Sequence, residues 1–299
     1  MDLLLNSIRG FCMALADSVP GVSGGTIAFI LGFYDKFINS LDDLIHGDLK
    51  LKKEAIIFLL KLAVGWIVGI VLAVLILTEL FETHIYAVSS LFIGFILFSI
   101  PLIIKEEKNV LKGKYINLIF TIIGILIVAF ITYFNPMSGE ASAVDITNIN
   151  FGLAIYMFIA AMISISAMVL PGISGSTLML IFGLYMPLIT SIKEILNLNF
   201  ASLPAFIIMA LGVVAGIVLI IRLIKIALAK YRSATIYFII GLMLGSIYAI
   251  VMGPTTLEVV QNALSIKTFN IFFFLFGGII VLSLERLKIV LLKKQSSKM

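Results

Sequence analysis

Two short segments of this chain carry the same small and polar residues within otherwise apolar sequence. Each reads Pro-Gly-x-Ser-Gly-x-Thr, at 20–26 and at 171–177. Proline suits the first turn of a helix, glycine allows a tight turn, and serine or threonine caps a helix start. A helix that begins at such a break directs its unpaired N–H groups and positive dipole end outward, which favours an anion. The pattern predicts hairpin breaks at Pro20, Gly21, Pro171 and Gly172, followed by the anion-binding residues Ser23, Gly24, Gly25, Thr26, Ser174, Gly175, Ser176 and Thr177.

Three of the charged residues within apolar sequence are candidates for function, because a charge there is costly and is a functional candidate by default. Arg9 and Asp17 are eight residues apart before the first break, on nearly the same face of a helix. Arg9 is a candidate to bind the anion, and Asp17 a candidate to bind a coupling proton or sodium ion. The alternatives are a structural ion pair between them, or an Arg9 side chain that extends to the membrane surface. Arg222 lies deep enough to face a cavity but also within reach of the interface.

The elements that must position these residues are membrane helices. Hydrophobic residues make up 62% of the 299 residues and charged residues 12%, and the mean hydropathy is +1.21, values that indicate an integral membrane protein. A span needs about 20 apolar residues. Six runs meet that length, at Ala55–Thr78, Tyr86–Ile104, Ile116–Phe134, Leu203–Ala227, Ala234–Met252 and Phe269–Leu284.

Two further apolar regions, at about 3–41 and 151–192, are interrupted near the middle by the repeated segments. Loops rich in lysine and arginine alternate with loops poor in them across the six spans, which predicts that both termini are cytoplasmic. This membrane topology is consistent only if each broken region begins and ends on the same side of the membrane. Each is therefore predicted to be a hairpin. Limbs of this length favour re-entrant hairpins, and full crossing remains open.

The chain also repeats beyond these segments. Gly65-x-x-x-Gly69 corresponds to Gly212-x-x-x-Gly216, and the sequence IGFILFSI corresponds to IGLMLGSI. The predicted fold is an all-α polytopic membrane protein with two inverted-topology repeats, each a re-entrant hairpin followed by three transmembrane helices. The repeats cover 1–134 and 151–299, and an external linker covers 135–150.

Other classes of protein are disfavoured. Cys12 is the single cysteine, and His46 and His84 are far apart, so we expect no disulfide, metal or cofactor. The net charge of +5 lies in loops, where it indicates orientation and not nucleic-acid binding. The N-terminus has no removable signal peptide by its pattern. The oligomeric state does not follow from the sequence.

The segments RGFCMALADSVPGVSGGTIAFILGFY and AMVLPGISGSTLMLIFGLY resemble the two signatures of the bacterial and archaeal polyprenyl-phosphate transporter family, the PopT type. The resemblance implies a plasma-membrane flippase that returns undecaprenyl phosphate to the inner leaflet, for reuse in envelope polymers. The lipid phosphate would then be the anion held by the repeated segments with Arg9 and Arg222, and Asp17 would respond to the coupling ion. Membrane lipids would surround the prenyl tail, while alternating access exposes the head-group site to each leaflet.

Two other functions fit parts of the sequence. Undecaprenyl-pyrophosphate phosphatases have a related Pro-Gly-x-Ser-Arg-Ser element, but Gly24 and Gly175 stand where its arginine would be, and neither hairpin has a glutamate pair. We therefore expect no enzyme activity. An ion-coupled transporter of a small soluble anion fits the bare sequence as well as lipid transport does, and a lateral opening toward lipid would distinguish the two.

Overall fold

The computed structural model describes residues 2–17, 23–72, 78–134, 149–196, 198–256 and 260–296. The predicted breaks at Pro20 and Gly21 and most of the predicted linker at 135–150 lie outside this part of the chain. The described residues are helical, with connecting turns and no strand.

The described residues of the first half form seven α-helices, of which the second begins within the first repeated segment and the third follows it. A short 3₁₀ turn, Tyr115–Asn117, precedes the last of them. The helices are α1 Asp2–Asp17, α2 Gly24–Ile30, α3 Tyr34–His46, α4 Leu49–Leu72, α5 Thr78–Glu106, α6 Lys108–Leu111 and α7 Leu118–Tyr133.

The second half repeats this order with six α-helices and a 3₁₀ turn, Gly253–Thr256, before the last. They are α8 Phe151–Val169, α9 Gly175–Ile181, α10 Tyr185–Leu196, α11 Leu203–Lys230, α12 Arg232–Met252 and α13 Ile271–Ser296.

Within the described ranges six helices are long and apolar enough to cross a membrane, so the chain is a multi-pass membrane protein. Five coincide with predicted spans. The sixth predicted span, Phe269–Leu284, is not among the six, because the apolar part of α13 is only Ile271–Ser283. Its place is taken by Phe151–Val169, which was predicted as a hairpin limb and has 19 residues, enough to cross. The six are Leu49–Leu72, His84–Glu106, Tyr115–Tyr133, Phe151–Val169, Leu203–Lys230 and Arg232–Thr255.

Each predicted hairpin has a second break that the sequence analysis did not predict. It separates α2 from α3 at Gly32 and α9 from α10 at Gly183, where φ is 67° and 66°. In the first copy the N–H of Phe33 donates to the Ala28 carbonyl at 3.0 Å, across the left-handed glycine. This geometry ends a helix abruptly, and glycine adopts it without steric cost.

The paired Gly-x-x-x-Gly sequences are helix contacts, as their spacing suggests. A Cβ atom on Gly65 of α4 would collide with the Ser7 carbonyl of α1, and one on Gly212 of α11 with the Phe158 carbonyl of α8. Both glycines therefore allow a hairpin limb to pack directly on the following span. The two copies of the sequence repeat make equivalent contacts here.

The last helix of each half packs against the other half. Gly94 of α5 abuts the Phe274 carbonyl of α13, and Gly241 of α12 abuts the Thr121 carbonyl of α7. The central helix α12 is 61% buried across its span, whereas the span that includes α7 is 11% buried. The main core lies between the first hairpin, α5 and α12, with Ile38, Ile96 and Ile239 almost completely buried. The two halves of the chain therefore interlock through these helix pairs.

Candidate functional site

The two repeated segments meet in a buried junction. The Ser23 hydroxyl donates toward two carbonyl oxygens, that of Met168 at 3.1 Å and that of Leu170 at 3.3 Å. In the opposite direction, the backbone N–H of Gly172 donates to the Thr26 hydroxyl at 2.8 Å. Ser23 and Thr26 are each 1% exposed. The structure thus brings together residues that are almost 150 positions apart in the chain.

Ser23 also caps the start of α2. Its backbone is extended, with φ −127° and ψ 142°, and its hydroxyl accepts a hydrogen bond from the N–H of Gly25. A Cβ atom on Gly25 would lie 2.8 Å from the Val169 carbonyl of the second hairpin. Small residues here allow the two backbones to approach closely.

Asp17 occupies the same helix start. One carboxylate oxygen accepts a hydrogen bond from the N–H of Gly24 at 2.6 Å, and the other accepts one from the Trp66 indole N–H at 3.1 Å. The Asp17 side chain thus occupies the start of α2 in this structure. Sequence analysis missed Trp66, although it is the single tryptophan and a buried indole N–H usually requires an acceptor.

The second hairpin contributes mainly backbone groups. Gly172 has φ 90°, and a Cβ atom there would lie 2.5 Å from the Leu242 carbonyl of α12. Pro171, Ser174 and Gly175 are buried, and Thr177 is half-buried. The Ser176 side chain lies outside the described part of the structure.

The Arg9 guanidinium lies over the Phe33 ring, 4.9 Å from its centre, and donates to the Asn6 amide oxygen at 3.1 Å. Asn6 lines a polar cavity of about 530 Å³ between α1, α3 and α4. Charged groups of both signs surround this cavity, including Lys36, Lys61 and Glu54. Arg9 therefore stands between this cavity and the turn that links α2 to α3.

Arg222 is not brought to the junction. Its side chain is exposed on α11, next to exposed Leu219 and Leu223. Hydropathy alone does not fix which face of a uniformly apolar helix is buried, so the predicted role of Arg222 in anion binding has no support from its position.

An ionic contact that sequence analysis missed joins the first hairpin to the second half of the chain. Arg232, at the start of α12, donates to Asp35 at 2.8 Å and to Glu107 at 3.0 Å. Together with Phe29 and Ile103, these residues line a smaller cavity of about 210 Å³.

A second ionic contact joins α3 to α11. Lys225 pairs with Asp42, which His46 also contacts at 3.1 Å. Burial raises the pKa of Asp42. The hydrogen bonds and charges of Lys225 and His46 lower the pKa by more than burial raises it, so the pKa of Asp42 lies below its ordinary value. Asp35 and Asp42 are seven residues apart, which places them on one face of α3. The seven-residue spacing of these two aspartates is the feature of the sequence from which an ionic face on α3 could have been predicted.

Comparison with known proteins identifies relatives over most of the chain. A family model described as VCA0040-like, undecaprenyl phosphate translocase-like, matches residues 13–268. A protein of Staphylococcus aureus named polyprenyl-phosphate transporter is 32% identical over 283 residues, which cover 95% of this chain and 96% of that protein. A protein of the same name from Vibrio cholerae is 31% identical over 257 residues, covering 83% and 77% of the two chains.

No solved structure matches the chain. The family match covers more than half of the sequence and includes both repeated segments, and the relatives extend over nearly the whole length. The six membrane-capable helices agree with membership of a transporter family. The chain belongs to the undecaprenyl phosphate translocase-like family.

Proposed function

We propose that this protein transports undecaprenyl phosphate across the plasma membrane, returning the lipid carrier to the inner leaflet for reuse in envelope polymers. One observation carries the proposal: segments from both halves of the chain meet in one buried junction next to a carboxylate, in a chain whose relatives are named polyprenyl-phosphate transporters. The two hairpins, related by inverted topology, would expose this junction to each leaflet in turn.

The junction would bind phosphate when it opens. In the closed arrangement Ser23 donates to second-hairpin carbonyls, and the Gly172 N–H donates to Thr26. Separation of the hairpins frees a serine hydroxyl, a threonine hydroxyl and a backbone N–H for the three phosphate oxygens. Only the head group needs this polar path, because the prenyl tail can remain in the hydrocarbon.

Asp17 would couple transport to a cation. Its carboxylate holds the N–H of Gly24, and a phosphate cannot take that donor while a second negative charge is beside it. Binding of a proton or sodium ion neutralises the carboxylate and lets the phosphate replace it. Arg9, one turn from Asn6 and the polar cavity, supplies positive charge on the route to this site.

The test is purified protein in liposomes with undecaprenyl phosphate labelled in one leaflet. We expect leaflet exchange that depends on a proton or sodium gradient in the parent protein and loses this dependence in Asp17→Asn. Arg9→Gln should weaken binding of the lipid phosphate, and Arg222→Gln is the matched control because that arginine is exposed on α11. Absence of exchange by the parent protein would refute lipid transport.

Two measurements address the alternative functions. Release of inorganic phosphate from undecaprenyl pyrophosphate would indicate a phosphatase. Uptake of free phosphate into the liposomes, without lipid exchange, would indicate a transporter of soluble anions.

A further inference from the structure

A groove between α5, α6, α7 and α12 differs in composition from both polar cavities. Its volume is about 490 Å³, within the usual range for sites that hold small molecules. Apolar side chains form its walls, with Ile100 and Ile104 from α5, Leu118 from α7, and Ile240 and Leu244 from α12. Ile104 is 46% and Leu118 49% exposed, so the groove opens on the outer surface of the helical bundle.

The polar groups in the floor of the groove are already satisfied. The Thr121 hydroxyl donates to the Tyr237 carbonyl at 2.8 Å, and the Tyr237 hydroxyl donates to the Leu111 carbonyl at 3.5 Å. Leu111 and Tyr237 are 6% and 8% exposed. The body of the groove therefore offers an occupant mainly hydrocarbon surface, which suits an apolar chain.

The mouth of the groove is cationic. Lys108 and Lys112 line it together with Tyr115, which is 65% exposed. The two lysines are four residues apart on one helical turn, where the N–H of Lys112 donates to the Lys108 carbonyl at 2.9 Å, so both ammonium groups leave the same side of the helix. Neither forms an ion pair within the described ranges of the chain.

We infer that this groove is a lateral docking site for a polyprenyl phosphate, with the prenyl chain along the apolar walls and the phosphate monoester on Lys108 and Lys112. The inference rests on the proposed function for its ligand. Apolar walls together with a cationic mouth disfavour simpler molecules. A neutral polyprenol gives the lysines no charge to bind, and a free phosphate leaves the apolar walls in contact with water or lipid.

The groove is adjacent to the route toward the junction. Ile104 of α5 lines the groove, whereas its neighbour Ile103 lines the small cavity that contains Arg232. On α12, Ile240 and Leu244 face the groove, and Gly172 packs against the Leu242 carbonyl between them. A head group that moves between α5 and α12 passes from the lysines to Arg232 and then to the first hairpin.

The experiment uses the full-length protein in liposomes and undecaprenyl phosphate with a photoreactive group in its prenyl chain. We expect crosslinks on the groove faces of α5, α7 and α12. Affinity should fall about 25-fold in the double variant K108Q/K112Q, because each lysine near an anionic lipid head contributes about fivefold. Lys114→Gln is the matched control, since Lys114 belongs to the same loop but does not line the groove.

A second variant tests the apolar part without a change in charge. Leu244→Trp should fill the groove and reduce crosslinking, whereas Leu126→Trp, on the exposed face of α7, should not. Unchanged affinity in both K108Q/K112Q and Leu244→Trp would overturn the inference, as would equal competition by undecaprenol or by phosphatidylglycerol. If the parent protein shows groove crosslinks but no leaflet exchange, the docking site stands and the proposed transport fails. If exchange occurs and the groove variants bind the lipid normally, the proposed transport stands and the docking site fails.

Discussion

The two predicted hairpins contain equivalent short helices, α2 and α9, but differ in chemistry. At equivalent positions before α2 and α9 stand Asp17 and Met168, and each contacts the glycine that begins the short helix, Gly24 or Gly175. In the first copy the contact is a hydrogen bond to a carboxylate. In the second it is apolar packing. Among the described residues the two copies therefore repeat the short helix and the left-handed glycine that ends it, Gly32 or Gly183, while the titratable group is present in only one copy.

The hydrogen bonds across the junction have the same asymmetry. The last carbonyls of a helix have no partner within it, and those at the end of α8 accept from side chains of the first hairpin, from Ser23 and from Tyr34, whose hydroxyl lies 3.1 Å from the Val169 oxygen. The first hairpin supplies side-chain hydroxyl groups, and the second supplies backbone groups. Substitutions at equivalent positions of the two copies should therefore have unequal effects.

The largest effect is expected where the second hairpin depends on its backbone. Gly172→Ala combines strain at φ 90° with a collision at the Leu242 carbonyl and should destabilise the fold by about 3 kcal/mol or more. Gly113→Ala is the control, because Gly113 has φ 79° but open space around it, so only strain of about 1 kcal/mol remains. Unfolding in mixed detergent micelles, followed by circular dichroism, measures both. Equal losses would show that the close approach to α12 is unimportant.

The next effect tests the side chains that distinguish the copies. Asp17→Ala leaves the Gly24 N–H and the Trp66 indole N–H without their acceptor, at a cost of about 2 kcal/mol. Met168→Leu conserves volume and should cost less than about 1.5 kcal/mol. Because Trp66 is the single tryptophan, its fluorescence should shift in the Asp17 variant and stay constant in the Met168 variant. A shift of similar size in both would contradict the proposed asymmetry.

A smaller effect is expected from the equivalent tyrosines. Tyr34→Phe removes the hydroxyl bound to the Val169 carbonyl and should destabilise the protein by about 1 kcal/mol. Tyr185→Phe should be nearly neutral, since its hydroxyl has no hydrogen-bond partner among the described residues. The same unfolding assay compares them. A greater loss for Tyr185→Phe would mean that the second hairpin has side-chain contacts of its own at the junction.

The smallest change in stability should come from the ionic contacts. Arg232→Gln breaks the links to Asp35 and Glu107, and because the groups are partly exposed the loss should be below about 1 kcal/mol. High salt should reduce the difference from the parent protein, because it screens the pairs. Arg222→Gln should show no such salt dependence. A salt-independent loss in Arg232→Gln would indicate packing and not charge as the role of Arg232.

The sequence predicted the features that are encoded locally. Composition indicated the membrane class, and the repeated Pro-Gly-x-Ser-Gly-x-Thr segments include Ser23, Thr26 and Gly172, which form hydrogen bonds across the junction. The Trp66 and Arg232 contacts were missed because they join residues distant in the chain, and nothing in the local pattern identifies the partner. The exposed position of Arg222 could not be predicted either, because apolar residues occur on all sides of α11 and hydropathy does not identify its buried face. The breaks at Gly32 and Gly183 were missed because apolar sequence continues through them.

The interlocked arrangement of the halves has a consequence for biogenesis. The close partner of α5 is α13, which is synthesised long after α5, so the face of α5 around Gly94 must remain exposed to lipid or to the insertion machinery until α13 has emerged. The equivalent face of α12 has no such delay, because α7 is already in the membrane when α12 emerges. A nascent chain stopped before Ile271 should therefore be an early substrate for membrane quality control, even though its two hairpins are fully synthesised.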